Sequence, residues 1–240
     1  VMGALTSAFI PVFTKYITQN KEKEAWRMAS IVINVSFIIL FIISVPILVW
    51  AKELSHLFAP GFNASEIETM ASFTRFMMVF QVAPLLIGNF FTGILQSYRL
   101  FLLPALAPVV YNIGIIIGIL VLTPFVGLYA PVIGVGIGAF LFLAIQIPIL
   151  FTVGYRYIPS FQYKHAGVKE VGKLMGPRTL GLAISQIDTT VDLMLASILG
   201  ARMVTIFNFA QHLQQLPIGL FGATIAQAAL PSLSVASIKD

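Results

Sequence analysis

The chain has 240 residues, of which 58% are hydrophobic and only 10% are charged, with a formal net charge of +5. A soluble domain carries about 25% charged residues; at a mean hydropathy of +0.95 this chain has too few to cover a water-exposed globule. A soluble enzyme, a free nucleic-acid binder and a disordered chain are thereby excluded, and an all-α polytopic membrane bundle is predicted. Cysteine is absent, which removes disulfides, thiol catalysis and cysteine metal sites.

A helix needs about 20 largely apolar residues to cross a bilayer. A helical pattern is already running at Val1, so the chain is expected to be part of a longer protein and its first helix, 1–16, to be incomplete. Further helices are predicted near 26–50, 70–97, 104–123, 129–153, 170–199 and 202–231, about seven in all. The second and third rest on charge-free runs of 24 residues between Arg27 and Lys52 and 23 residues between Arg75 and Arg99. A run of 56 residues between Arg99 and Arg156 holds the next two, punctuated by the turn TPFVGLYAP from Thr123 to Pro131.

Orientation follows from Lys and Arg in the short connections. Lys15, Lys21, Lys23, Arg27, Arg99, Arg156, Lys164, Lys169, Lys173, Arg178 and Lys239 fall on one side; Lys52 and Arg202 fall on the other. The rich side is cytoplasmic, which puts 17–25 and 155–170 inside and 52–68 outside. Arg75 and Arg202 are expected to snorkel at the outer boundary.

Eight prolines fall within the predicted spans: Pro11, Pro46, Pro84, Pro108, Pro148, Pro177, Pro217 and Pro231. Each removes a backbone donor, and kinked helices of this kind suit a transporter that rearranges. Gly114 and Gly118, then Gly134 and Gly138, recur at the spacing that lets helices approach closely. GVGIG at 134–138 therefore reads as packing and not as a dinucleotide loop, having no strand before it and no acid after it. SAFIPVF at 7–13 and QAALPSL at 227–233 match weakly, six helices apart and both before a cytoplasmic exit, as a parallel duplication of a six-helix unit would place them. The polar stretch 154–169, GYRYIPSFQYKHAGVK, would link the units along the inner membrane surface.

GALTSAFIPVF at 3–13, APGF at 59–62, LPALAPVVYN at 103–112, MGPRTLGLAISQI at 175–187 and LPIGLFGATIAQAALPSLS at 216–234 occur in an order that resembles the lipid II flippase family, MurJ/MviN. The resemblance implies a two-lobe exporter-type fold in the multidrug/oligosaccharidyl-lipid/polysaccharide superfamily. Residues 1–153 would then be helices two to six of the first lobe, 154–169 the linker, and 170–240 the first two helices of the second lobe. It also implies a bacterial inner-membrane, multi-pass protein that is not an enzyme. Its partners would be an undecaprenyl-linked peptidoglycan precursor and membrane lipids, with no nucleic acid. Where well-studied members have arginine and glutamate, this chain has His212 and Gln215. A titratable ring therefore stands where the family offers a fixed cation suited to a pyrophosphate.

Ionisable groups within a span usually face a cavity or a partner. Asp188 and Asp192 lie one turn apart, and Asn208, His212 and Gln215, with Thr205 and Gln211 beside them, stripe the next helix. Asp188, Asp192, Thr205, Asn208, His212 and Gln215 are the predicted wall of a substrate cavity. No cofactor is expected beyond a possible coupling cation, Na⁺ or H⁺, with Asp192 the candidate Na⁺ ligand. A hairpin centred near residue 200 puts Asp188 and His212 at equal depth, and a contact between them is expected. Asn34, Gln81, Asn89, Asn112, Gln146 and Gln186 read as interhelical hydrogen bonds, and His56 and His165 as loop residues without a role. The competing readings are an exporter of another lipid-linked saccharide or of drugs, and a membrane enzyme acting on polyprenyl phosphate. The latter needs clustered cytoplasmic acids for magnesium, whereas Glu22, Glu24, Glu170 and Asp240 are scattered among lysines.

Overall fold

The computed structural model describes residues 2–160, 162 and 165–217, and every regular element among them is helical. In chain order these are α1 (Met2–Thr18), α2 (Glu22–Val49), α3 (Ala51–Phe58), α4 (Ala64–Phe80), α5 (Val82–Ser97), α6 (Leu102–Val126), a 3-10 turn (Gly127–Tyr129), α7 (Ala130–Ala144), α8 (Ile147–Thr152), α9 (Ala166–Ile198) and α10 (Ala201–Pro217). The predicted helix 202–231 is followed only to Pro217, and the second half of the internal repeat lies outside the described residues. By length and composition α2 and the Leu102–Thr152 stretch can cross a membrane, and α4 with α5 can do so as one bent span. The 33-residue α9 is long enough but carries Lys169, Glu170, Lys173, Arg178, Asp188 and Asp192, so it is a polar helix.

Two predicted spans are broken, each where a proline removes a donor. The expected helix 70–97 is two segments bent by 41°. Pro84 has no N–H for the Phe80 carbonyl, and the bend falls between them, at Gln81. The expected helix 129–153 breaks after Ala144, the carbonyl that Pro148 leaves without a donor. Gln146 repairs the second break. Its own N–H shifts to Leu143 O (3.2 Å), its side-chain Nε2 donates to the Phe142 carbonyl so freed (2.9 Å), and its Oε1 accepts from Thr92 Oγ1 on α5 (2.9 Å). A side-chain amide replacing a lost helical bond is how a broken helix survives in lipid.

The predicted outer loop 52–68 is largely helical. It contains α3, and α4 starts inside it, at Ala64. Asn63 accepts from Glu66 N–H (3.0 Å) while the Glu66 carboxylate accepts from Asn63 N–H (2.8 Å), a reciprocal capping box. Arg75 does not simply reach for water: its Nε donates to Leu48 O (3.1 Å) near the end of α2.

The glycine pairs meet across α6 and α7. A Cβ on Gly114 would lie 2.6 Å from Gly138 Cα, and one on Gly118 would strike Gly134 Cα. The two helices are therefore antiparallel with backbones in contact, and GVGIG is packing. Gln81 Nε2 donates to Tyr111 Oη (3.1 Å), an interhelical bond as expected, while Asn112 bonds Pro108 O within its own helix.

Aromatic side chains gather at both ends of the bundle, here called inner and outer after the orientation expected from the basic residues. At the inner end Trp26 of α2 stacks on Tyr98 after α5 and meets Tyr155 of the linker edge-on. Burial holds the Tyr98 and Tyr155 phenols above their ordinary pKa, as a dry cluster should. At the outer end Phe73 and Ser72 of α4 touch Tyr129. The linker is strapped to α2: Ile158 N–H donates to Ser30 Oγ (2.9 Å), Tyr157 Oη to Asn34 Oδ1 (2.8 Å), and Asn34 Nδ2 to Ser160 O (3.2 Å).

Candidate functional site

The candidate site is the long helix α9 and the space on either side of it. α9 is fastened to the preceding helices at both ends. At its start His165 Nδ1 accepts from Gly167 N–H (3.2 Å), which leaves the ring proton on Nε2 to donate to Glu24 Oε2 of α2 (3.0 Å). The imidazole is 11% exposed and lies against Tyr16 of α1. Lys15 pairs with Glu170 (3.1 Å), both side chains exposed. Gly167 is close enough to Tyr16 and Met28 that a Cβ would fall 2.9 Å from each. His165, which sequence reasoning set aside, is thus the cap of α9 and its tie to α2. A histidine just before a predicted helix was the available signal, but only the fold brings Glu24 beside it.

At the outer end Gly61 comes so close to the Ser197 carbonyl that no side chain could stand there. Val168, Val171 and Met175 still pack against the core of the preceding helices, and beyond them most of α9 is exposed. Gly172, Gly176 and Gly181 have nothing within van der Waals reach of an added Cβ. A cavity of 670 Å³ runs along this stretch, its wall largely apolar, with Phe58 of α3 on one side and Leu182, Ile187, Val191 and Met194 of α9 on the other, among which Thr179, Gln186 and Thr190 are set. The Thr179 hydroxyl is buried without a partner.

Asp188 and Asp192 are exposed and stand two residues on from Gln186 and Thr190, about 200° round the helix. They therefore face away from this cavity. On α10, Thr205, His212 and Gln215 are exposed, and Asn208 is half-buried. Thr205 and Asn208 bond carbonyls of their own helix, Ala201 O (3.3 Å) and Val204 O (3.0 Å).

The expected contact between Asp188 and His212 does not form: neither an ion pair nor a hydrogen bond joins them. Depth is matched but rotation is not. The half-buried stripes are Thr189, Leu193 and Ala196 on α9 and Ala201, Val204, Asn208 and Gln211 on α10. Asp188 and His212 are both exposed and lie outside these positions. Among the described residues no three His, Asp or Glu side chains converge as a metal site would require.

The model of one protein family, Lipid II flippase MurJ, matches residues 1–240. A lipid II flippase MurJ of Burkholderia cenocepacia is 28% identical over 244 residues, covering 98% of this chain and 47% of that protein. A probable lipid II flippase MurJ of Borreliella burgdorferi is 28% identical over 232 residues, covering 97% of this chain and 45% of that one. The chain therefore spans about half the length of the curated relatives it matches. A solved structure described as a lipid II flippase MurJ in an inward closed conformation superposes with a TM-score of 0.79. It shares 23% identity over 97% of this chain and 48% of its own, which establishes a common fold.

Proposed function

Because the chain belongs to the lipid II flippase MurJ family, we propose that it is the part of a flippase that includes most of one lobe and the start of the next, and that the whole protein carries lipid-linked peptidoglycan precursor from the inner to the outer leaflet. Residues 1–153 form the first lobe's share, 154–169 the linker along the inner membrane surface, and 170–240 the beginning of the second lobe. The observation that carries this reading is α9, tied to the preceding helices at both ends and largely exposed from Gly176 to Asp192. A helix held this way walls a passage along the membrane normal without filling it. Its two polar faces then have separate roles. Thr179, Gln186 and Thr190 offer neutral hydrogen bonds on the side of the first lobe. Asp188 and Asp192, with Thr205, Asn208, His212 and Gln215 on α10, line the surface turned to the rest of the second lobe.

The proposal extends to a coupling cation, Na⁺ or H⁺, at Asp192. Asp188 lies one turn away, but among the described residues no third acid or imidazole joins them, so these residues alone do not make a Na⁺ site. No step of transport is drawn through one. The host is taken to be a walled bacterium and the site its inner membrane. Depletion of the full-length protein in such a cell should accumulate lipid II in the inner leaflet, measured by leaflet-specific labelling of the precursor. An unchanged leaflet ratio would refute the proposal.

A further inference from the structure

The inner end of α2 and the start of the linker enclose a notch of 960 Å³, lined by Glu22, Lys23 and Trp26 on one side and Arg156 and Tyr157 on the other. Its level in the membrane follows from α2. From Lys23 to Trp50 the helix rises about 40 Å, which is the thickness of a bilayer including both headgroup layers. Ile38, Phe41, Ile42 and Ile43 on the outer half of α2 are exposed at 47%, 69%, 63% and 53%, as lipid-facing side chains should be. With Trp50 at the outer headgroups, Lys23 stands among the inner ones. Tyr157 sits there too, its ring exposed and its hydroxyl held by Asn34. Trp26 is 3% exposed and floors the notch. Amphipathic rings collect at this level of a membrane.

The cations in the notch are not closed off by direct ion pairs. Lys15 and Lys52 are each paired with a carboxylate, but among the described residues Lys23 and Arg156 make no ion pair or side-chain hydrogen bond. Two unpaired cations and one carboxylate, lining a single cavity at headgroup depth, match a group carrying one phosphate and one ammonium. We propose that the notch seats the headgroup of an inner-leaflet phosphatidylethanolamine, its phosphate between Lys23 and Arg156 and its ammonium against Glu22. The guanidinium presents a fork to two phosphate oxygens, and Lys23 adds a point charge. Such a lipid would hold the linker against α2 where α9 departs. The proposal rests on the membrane placement of α2 and is independent of what the protein transports.

The test uses the full chain in vesicles of phosphatidylethanolamine and phosphatidylglycerol in equal amounts, doped with a photoactivatable phosphatidylethanolamine. Crosslinks are mapped by mass spectrometry to 20–26 and 154–158. Lys23→Gln with Arg156→Gln should lower that labelling about thirtyfold, the worth of two cations at a membrane surface. Arg156→Lys, which keeps the charge, should retain most of it and shows that loss is not misfolding. Equal labelling in the double variant overturns the proposal. Inorganic phosphate should leave the crosslinks intact; if it removes them, the notch binds soluble phosphate and the lipid assignment fails. Glu22→Gln should turn the preference toward a phosphatidylglycerol probe, and an unmoved preference rules out the ammonium contact.

Discussion

The chain contains two hairpins built on opposite plans. In α6–α7 small residues face each other, the backbones touch, and nothing polar intervenes. In α9–α10 the half-buried positions include Thr189, Asn208 and Gln211, and most side chains remain exposed. Without a hydrophobic force between helices in lipid, close packing is what holds a pair together. The first hairpin has it and reads as a rigid wall. The second lacks it and depends on its ties at His165 and Gly61.

The largest expected effect strikes the tight hairpin. Gly118→Leu would drive a side chain into the Gly134 backbone, which cannot yield, and should cost about 3 kcal/mol; denaturant unfolding in detergent measures it, and a neutral result would mean that the backbones do not touch. The loose hairpin should respond in function instead. Asp192→Ala should slow transport about tenfold, equivalent to about 1.4 kcal/mol of barrier, with the melting temperature unmoved. A leaflet assay on the full-length protein reads the first and a thermal scan the second, and a large fall in melting temperature would make Asp192 structural. A smaller loss is expected at the inner tie. His165→Ala removes the cap of α9 and its bond to Glu24, costing about 1 kcal/mol, visible as faster hydrogen exchange over 166–171. Exchange unchanged there would mean that α9 is held by other contacts. The smallest effect runs the other way. Gly181→Ala places a methyl in open space on a helix and should gain about 0.5 kcal/mol; a destabilised variant would mean that the space beside α9 is filled.

Much of this was legible in the residues. The apolar runs placed α2 and the α6–α7 pair, because burial in lipid demands length and apolarity of each span on its own. Spacing alone identified the glycine contacts. The prolines read as kinks, yet among the described residues before α10 Pro84 and Pro148 fall at breaks, whereas Pro11, Pro46, Pro108 and Pro177 lie within unbroken segments. Where the α7–α8 break shifts the Gln146 N–H to Leu143, the Gln146 side chain takes up the Phe142 carbonyl left behind. Site residues were harder. Asp188 and His212 were matched by depth, which chain arithmetic supplies, but contact needs rotation about two helix axes, which packing sets.

The sequence by itself determined that the chain belongs in a membrane, where glycine meets glycine, and which family it resembles. Each of these follows from local composition, spacing or motif order. Tertiary structure alone decided that α9 is pinned by His165 and Gly61 and largely exposed from Gly176 to Asp192, that its acids turn away from the 670 Å³ cavity, and that Lys23 and Arg156 share a notch. These depend on which distant residues are brought together. Lys23 and Arg156 lie 133 positions apart, and no periodicity along the chain encodes that meeting.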